Sequence, residues 1–200
     1  TLAVLTALIL NNLGSFIMNV PRKRSGPLHR LIPTADKLRI FALGDTGTGK
    51  QDQKDVAAAM EARCLEKGVD GLLFLGDNIY QTGVSDIEDK DWEKKLWGIY
   101  SSPCLSKVPI YPVLGNHDYR DSPAAQIEYS LVNPRWRMPN RFYSVDFGSL
   151  LKVVAFDSQI SEFCFNAKFC AVDFLLEELE KETTTWKIVT AHHPLTSASV

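Results

Sequence analysis

Short apolar runs alternate with amphipathic stretches from Leu38 to the end of the chain. Runs at residues 39–43, 72–75, 109–114 and 187–190 are typical of buried β-strands, and residues 142–147 and 150–156 predict two further strands joined by a turn at Gly148-Ser149. Helical spacing predicts helices over residues 51–67, 89–100, 123–132 and 172–181. This alternation predicts an α/β fold with a largely parallel sheet.

The first 37 residues differ from the rest of the chain. Residues 1–20 carry no charge and open with an apolar run, which predicts a signal peptide or a membrane anchor, with a buried helix as the alternative. Residues 21–37 hold Pro, Gly, Ser and five basic residues against one acid, which predicts a basic linker. A single domain is then expected over residues 38–200.

Charge excludes one class of partner. After residue 37 the chain has 17 basic and 23 acidic residues, a balance of −6. A domain this acidic is a poor binder of nucleic acid unless bound cations reverse the local field. We therefore expect no nucleic-acid partner, and the sequence leaves the oligomeric state open.

Four of the predicted strands are each followed at once by potential metal ligands. These are Asp45 in Gly-Asp-Thr-Gly, Asp77 and Tyr80 in Gly-Asp-Asn-Ile-Tyr, Asn116 in Gly-Asn-His-Asp, and His192 in Ala-His-His-Pro. Ligands of open α/β sheets bind at the carboxyl ends of the strands. Oxygen and imidazole donors that meet there suit hard or borderline metal ions.

The donor types indicate two ions. Asp77 can bridge two cations about 3.5–4 Å apart, because a carboxylate has two oxygens. Asp45 and Tyr80 would complete one side, and a phenol ligand points to a trivalent ion such as Fe(III). Asn116 and His192 would serve a divalent ion such as Fe(II), Zn or Mn.

The same segments suggest a reaction. Two bridged ions would acidify a bound water to hydroxide, which would act as the nucleophile on a phosphate group held against it. His117 lies one residue from a predicted ligand and could donate a proton to the departing alkoxide. Asp118 could orient that imidazole.

A nucleotide-binding loop is the competing interpretation of the first segment. The run from Gly44 to Lys50 matches the phosphate-binding G-x-x-x-x-G-K between a strand and a helix. Gln51, however, stands where that motif needs a Ser or Thr hydroxyl for its metal ion. The run from Leu72 to Asp77 could pass as the acidic strand that assists its magnesium. The interpretation still leaves Tyr80, Asn116, His117 and His192 without a role.

The four cysteines, Cys64, Cys104, Cys164 and Cys170, do not form a CxxC pattern. Cys164 and Cys170 could close a short disulfide loop in an oxidising compartment. Equally, these two cysteines could be unpaired and serve as small apolar residues of the core.

Taken together, the four ligand segments resemble the motifs of purple acid phosphatases, within the calcineurin-like metallophosphoesterases. Residues 123–130 and 135–143 are also similar to segments of the small tartrate-resistant subgroup, and the likeness runs from about Leu38 to Ser199. The resemblance implies a four-layer α/β/β/α sandwich with a binuclear centre at one edge. It also implies hydrolysis of phosphomonoesters at acidic pH in secreted or lysosomal settings.

Position by position, the resemblance implies roles for six residues. Asp45, Asp77 and Tyr80 match ligands of a ferric site, and Asp77, Asn116 and His192 match ligands of a divalent site. His117 matches the residue near substrate and leaving group.

The family pattern continues with a Gly-His-x-His segment, which gives each metal one more imidazole. These 200 residues contain no such segment, and only His29 and His193 remain as histidines. We therefore expect the chain to be C-terminally incomplete.

Two functions follow as hypotheses. The first is a metal-dependent acid phosphatase acting on a small phosphomonoester or a phosphoprotein. The second is a phosphatase-like scaffold, catalytically impaired, tethered to a membrane through residues 1–20 and bound to a protein partner. Some apicomplexan relatives of this fold are membrane-anchored in motility assemblies, which is the precedent for the second.

Overall fold

The first sheet consists of three parallel strands, of which the second and third along the chain are almost entirely buried and the first is partly exposed. The structure is a computed structural model that describes residues 30–31, 37–161, 171–181 and 183–194. Strands β2 (Ile40–Leu43), β3 (Gly71–Leu75) and β4 (Ile110–Val113) pair in the order β2-β3-β4. All four side chains of β4 are buried, as expected for a parallel sheet covered on both faces. The three predicted strands are confirmed.

The second sheet is mixed, with the order β1-β5-β6-β7. Its strands are β1 (Arg30–Leu31), β5 (Tyr143–Phe147), β6 (Leu151–Ala155) and β7 (Trp186–Thr190). β5 and β6 form an antiparallel hairpin that turns at Gly148 (φ +59°), while β1 and β7 join in parallel.

The sequence pattern alone missed two features of this arrangement. It did not predict that the strands divide between two sheets, and it missed β1 because two residues within a basic stretch give no periodic signal. The prediction of a largely parallel arrangement is confirmed, since four of the five strand pairings are parallel, and the exception is the predicted pair β5–β6, which forms an antiparallel hairpin.

The two sheets pack face to face through alternate residues of β5 and β6. The inward side chains are Tyr143, Val145, Phe147, Leu151, Val153 and Ala155, all buried. The Phe147 ring lies 5.4 Å from that of Tyr111 on β4 in an edge-to-face pair, and the Tyr143 hydroxyl donates to the Pro112 carbonyl at 2.7 Å. This contact fixes how the second sheet lies against the first.

The helices are α1 (Gln51–Lys67), α2 (Pro123–Tyr129), α3 (Ser158–Ser161) and α4 (Ala171–Glu180) among the described residues. α1 ends at Gly68, as predicted, and buries Ala57, Met60 and Cys64 in the common core. α2 is three residues shorter than predicted, since i→i+3 hydrogen bonds at Ser130 and Leu131 close it early.

The predicted helix over residues 89–100 is wrong at its start. Regular helix is confined to residues 91–97, of which Glu93–Trp97 are π-helical. The side chains of Asp86 and Asp89 accept hydrogen bonds from the N–H groups of Glu88 and Asp91. These contacts from an Asp side chain to the backbone two residues further on, called Asx turns, compete with helix formation before residue 91.

The outer face of the second sheet is covered by α4. Lys152 on β6 is 2% exposed, and its Nζ lies 2.8 Å from Asp146 Oδ1 on β5 and 3.2 Å from Glu178 Oε2 on α4. Glu178 is buried beside it, and hydrogen bonds from Lys181, Ser144 and Lys152 lower its pKa although burial raises it. With α1 on the first sheet and α4 on the second, the layers are α/β/β/α, as the resemblance implied.

A disulfide between Cys64 and Cys104 joins α1 to the turn before β4. The sequence analysis missed this pair, because 40 residues separate its members. The Glu61 carboxylate strengthens the junction by accepting the N–H groups of Cys104 at 3.0 Å and Leu105 at 2.9 Å. The predicted alternative, Cys164 with Cys170, lies outside the described residues.

We expect Cys104→Ser to lower the free energy of unfolding by about 2–4 kcal/mol, because it releases this cross-link from the unfolded chain. Urea unfolding measures the change. Reductant should lower the midpoint of the wild-type protein by more than that of the variant, which lacks this cross-link. Equal midpoints for the two oxidised proteins would contradict the prediction.

None of the helices within the described ranges is long and apolar enough to span a membrane. The predicted leader, residues 1–20, lies outside those ranges, as does the predicted linker except Arg30, Leu31 and Lys37. The anchor and linker therefore stay predictions.

Candidate metal centre

The predicted ligands meet at one edge of the molecule, where both sheets end. Asp45, Asp77 and Asn116 follow β2, β3 and β4, and His192 follows β7 of the second sheet. One ligand atom each of Asp45, Asp77 and His192 lies within 4.8 Å of the others. The structure thus brings together residues that are up to 147 positions apart in the chain.

Two of these residues have an unusual backbone. Asp45 has φ +57° and Asp77 has φ +51°, the left-handed region that residues other than glycine seldom adopt. Asp tolerates this region better than most residues. Strained conformations of this kind cluster at functional sites, and here both turn a carboxylate toward the same space.

Tyr80 lies between the two carboxylates. Its hydroxyl donates to Asp45 Oδ1 at 2.8 Å. Burial raises the pKa of Tyr80 well above its ordinary value, and hydrogen bonding to Asp77 and Asp45 raises it further. The phenol therefore keeps its proton in the surroundings that the chain alone supplies. A strongly charged cation beside it would reverse this preference.

His192 is held with one nitrogen free to act as a ligand. Its Nδ1 donates to the Leu75 carbonyl at 2.9 Å, because a carbonyl oxygen only accepts. Its Nε2 lies 3.1 Å from Asn116 Oδ1 and 3.5 Å from Asp77 Oδ1. One nitrogen and two oxygens that can act as ligands thus converge. This arrangement fits a cation, and the imidazole–backbone bond is the usual support for a ligating histidine.

His117 lies beside this cluster. Its Nδ1 donates to the Gln81 carbonyl at 2.6 Å, and its Nε2 lies 3.9 Å from Asp77 Oδ2. Its ring packs against that of Tyr80 with 4.6 Å between centroids. One ring nitrogen is thus fixed to the backbone and the other points toward the carboxylates.

The predicted role of Asp118 is wrong, because its carboxylate does not orient His117. It is fully buried and accepts hydrogen bonds from the N–H groups of Asn78 (3.1 Å) and Gly115 (2.9 Å) and from the Gln126 amide (2.8 Å). Burial raises the pKa of Asp118 to about 6, although these hydrogen bonds act in the opposite direction. The carboxylate ties the loop of Asp77 to the loop of Asn116.

Two glycines allow the ligands to approach one another. A Cβ on Gly115 would lie 2.3 Å from both the backbone nitrogen and Oδ1 of Asp77. A Cβ on Gly76, which has φ +90°, would lie 2.6 Å from the His192 ring. No larger residue fits at either position without displacing a predicted ligand.

We expect Gly115→Ala to weaken zinc binding by about 10–100-fold, the loss typical of disturbing the groups that support a ligand. Isothermal titration with Zn²⁺ measures the change. Gly68→Ala is the control, since Gly68 lies at the end of α1 outside the ligand segments: a Cβ there meets nothing within 4 Å, and its φ of +72° makes the variant report backbone strain alone. Equal affinities for the two variants would refute the prediction.

The loop from Gly44 to Lys50 does not form a nucleotide cradle. It does connect a strand to a helix, as that motif requires. Its backbone N–H groups, however, are engaged within the protein: Gly49 donates to Gln53 Oε1 at 2.6 Å, and Thr48 donates to the Thr46 carbonyl at 2.8 Å. The nucleotide interpretation is therefore wrong.

Comparison with known proteins defines the class to which this fold and site belong. Residues 38–200 match the family model of calcineurin-like phosphoesterases, and the chain belongs to that family. The resemblance to purple acid phosphatases is confirmed at the level of individual relatives.

Human tartrate-resistant acid phosphatase type 5 is 40% identical over 116 residues, which are 55% of this chain and 36% of that protein. Purple acid phosphatase 4 of Arabidopsis thaliana is 31% identical over 182 residues, which are 82% of this chain and 53% of that protein. The chain thus spans from about a third to about half the length of these relatives. A solved structure of GAP50, the anchor in the inner membrane complex of Plasmodium, shares the fold with a TM-score of 0.67 at 21% identity, covering 82% of this chain and 57% of that one.

Sequence reasoning missed the groups that hold the site in place. These are the carbonyls of Leu75 and Gln81 and the side chains of Asn78 and Gln126. Backbone carbonyls carry no sequence signal. Gln126 lies in a helix eight residues beyond Asp118, and nothing in its spacing marks a buried partner.

Proposed function

We propose that this protein hydrolyses phosphomonoesters at a centre of two metal ions. The observation that carries the proposal is the convergence of three potential ligand atoms: His192 Nε2 lies 3.1 Å from Asn116 Oδ1 and 3.5 Å from Asp77 Oδ1. Relatives named as acid phosphatases support the choice of reaction. The substrate class is a phosphomonoester, either a small molecule or a phosphoprotein.

The residues fall into two groups around Asp77. Asp45, Asp77 and Tyr80 would hold Fe(III), because two carboxylates and a phenol are hard anionic donors. Asp77, Asn116 and His192 would hold a divalent ion, iron, zinc or manganese. When bound, the two ions would supply a nucleophile from water near neutral pH and would neutralise the charge of the phosphate oxygens.

His117 would deliver the proton that the leaving group needs. Its Nδ1–H is fixed to the Gln81 carbonyl, so that Nε2 is the nitrogen turned toward the carboxylate cluster. A histidine that protonates the departing oxygen avoids release of a free alkoxide. Asp118 contributes by holding the loops of Asp77 and Asn116 together rather than by contact with this ring.

Phosphatase activity on p-nitrophenyl phosphate tests the proposal, after the protein has been loaded with Fe(III) and Zn²⁺. We expect hydrolysis that disappears when chelator removes the ions and returns when they are restored. Protein that holds both ions and leaves the ester intact would overturn the proposal.

A scaffold is the second candidate, and the fold shared with the GAP50 anchor favours it. A scaffold has no physical need for converging carboxylates, phenol, amide and imidazole, all of which are present here. The two functions differ in one result: a scaffold keeps its partner when Asp77 is replaced, whereas a phosphatase loses its activity.

A further inference from the structure

Asp157 and Ser158, the two residues that we call the brace, lie just after β6, two and three positions beyond its last residue, Ala155. Both are buried, with Asp157 fully inaccessible. Neither belongs to a ligand segment. Their contacts nevertheless reach two loops of the metal centre, one from each sheet.

Asp157 contacts the loop of His117. The Tyr119 hydroxyl donates to Asp157 Oδ2 at 2.5 Å, and Tyr119 lies in the turn Asp118–Arg120, which begins directly after His117. Arg141 adds to this contact, since its guanidinium donates to the Tyr119 hydroxyl and lies 3.9 Å from Asp157 Oδ2. The backbone N–H of Gln159 donates to the other carboxylate oxygen at 3.1 Å.

Ser158 contacts the loop of His192. Its hydroxyl oxygen accepts the backbone N–H of His193 at 3.0 Å and lies 2.8 Å from His193 Nδ1. One hydroxyl therefore fixes both the main chain and the ring of the residue next to a predicted ligand. The connection from His117 to His192 runs without a gap through Tyr119, the brace and His193.

The centre needs such a connection because its ligands come from different sheets. Asp45, Asp77 and Asn116 follow strands of the first sheet, and His192 follows β7 of the second. His192 Nε2 lies 3.1 Å from Asn116 Oδ1 and 3.5 Å from Asp77 Oδ1, so a small shift of the β7 loop would take the imidazole out of reach of these groups. The bond to Leu75 holds the ring from one side only.

We propose that the brace is a positioning element, which sets the place of His192 and His117 relative to the ligands of the first sheet. This role rests on the proposed function, since it concerns the same centre. Side chains that support metal ligands typically change metal affinity by 10–100-fold when they are removed.

Ser158→Ala is the first variant, and the exchange of ring N–H protons is the first measurement. In metal-free protein the His192 Nδ1–H is protected by Leu75, and NMR can follow its exchange with solvent. We expect faster exchange in Ser158→Ala than in the wild-type protein. Ser158→Thr, which keeps the hydroxyl, should restore the wild-type rate.

Ser130→Ala is the matched control. The Ser130 hydroxyl makes the same kind of double contact, accepting the Met138 N–H at 2.9 Å and donating to its carbonyl at 2.8 Å. Its removal should lower the melting temperature as much as Ser158→Ala does and leave the His192 proton protected. Tyr119→Phe tests the other end of the brace, and there the Nδ1–H of His117 should exchange faster.

Zinc titration of the same proteins is the second measurement. We expect about 10-fold weaker binding in Ser158→Ala and unchanged binding in Ser130→Ala. Faster ring exchange with no zinc binding in any of the proteins would support the brace and reject the metal centre. Unchanged ring protection in both Ser158→Ala and Tyr119→Phe would overturn the brace whatever the zinc affinity.

Discussion

Asp77→Asn is expected to empty the metal centre and to reduce phosphatase activity by more than about 100-fold. Removing a side chain that only supports a metal ligand already lowers metal affinity or activity by up to that factor, and the loss of the ligand itself should cost more. Asp77 is the one residue shared by both proposed ion sites, and its removal takes away the only negative charge of the divalent site. Its side chain is 3% exposed, so water cannot replace it easily. Metal content per chain, measured by plasma emission, reports the loss directly.

The same substitution should leave the fold intact. Asn keeps an oxygen that can accept the His117 N–H, which Asp77 Oδ1 now accepts at 2.9 Å. Asp70→Asn is the matched control, because Asp70 is an exposed carboxylate that accepts the Arg39 N–H just before β3, at its opposite end. Metal content that falls equally in both variants, or in neither, would show that Asp77 is not the shared ligand.

His117→Asn is expected to slow the hydrolysis of alkyl phosphates by about 10²–10⁴-fold, the usual contribution of a general acid. Metal content should stay unchanged, since His117 Nε2 lies 3.9 Å from Asp77 and the residue is not among the proposed ligands. The loss should appear in kcat, because the proton is transferred as the ester bond breaks.

Leaving groups provide the control for this prediction. Nitrophenolate departs without a proton, so His117→Asn should hydrolyse p-nitrophenyl phosphate at a rate much closer to that of wild type. An equal loss for alkyl and nitrophenyl esters would mean that His117 binds the phosphate or supports the metals, and the proton-donor role would be wrong.

The sequence was sufficient to predict the strands and the shared edge at which the proposed ligands lie. β3 and β4 are buried on both faces, so each gives an unbroken apolar run that ends where the polar ligand begins. Because the strands of the first sheet are parallel, their carboxyl ends meet, and a polar residue after each must share one edge. Asp45, Asp77 and Asn116 are placed by this rule, which depends on no particular side-chain contact.

Other features depend on contacts that leave no local pattern. Asp118 was expected to face its neighbour His117, yet its buried carboxylate finds donors on the loops after β3 and β4. The partner of Cys64 lies 40 residues away. Whether adjacent residues face each other is decided by the tertiary packing, which explains why the predicted ligands meet while the predicted support of His117 is wrong.

The metal content of the folded protein, measured together with its visible spectrum, is the sharpest test of a two-metal centre. We expect two ions per chain after loading with Fe(III) and Zn²⁺. We also expect a purple absorption band from the Tyr80 phenolate on iron, which Tyr80→Phe removes while Asp70→Asn does not. Protein that is folded, colourless and free of metal after the same loading would contradict the two-metal centre.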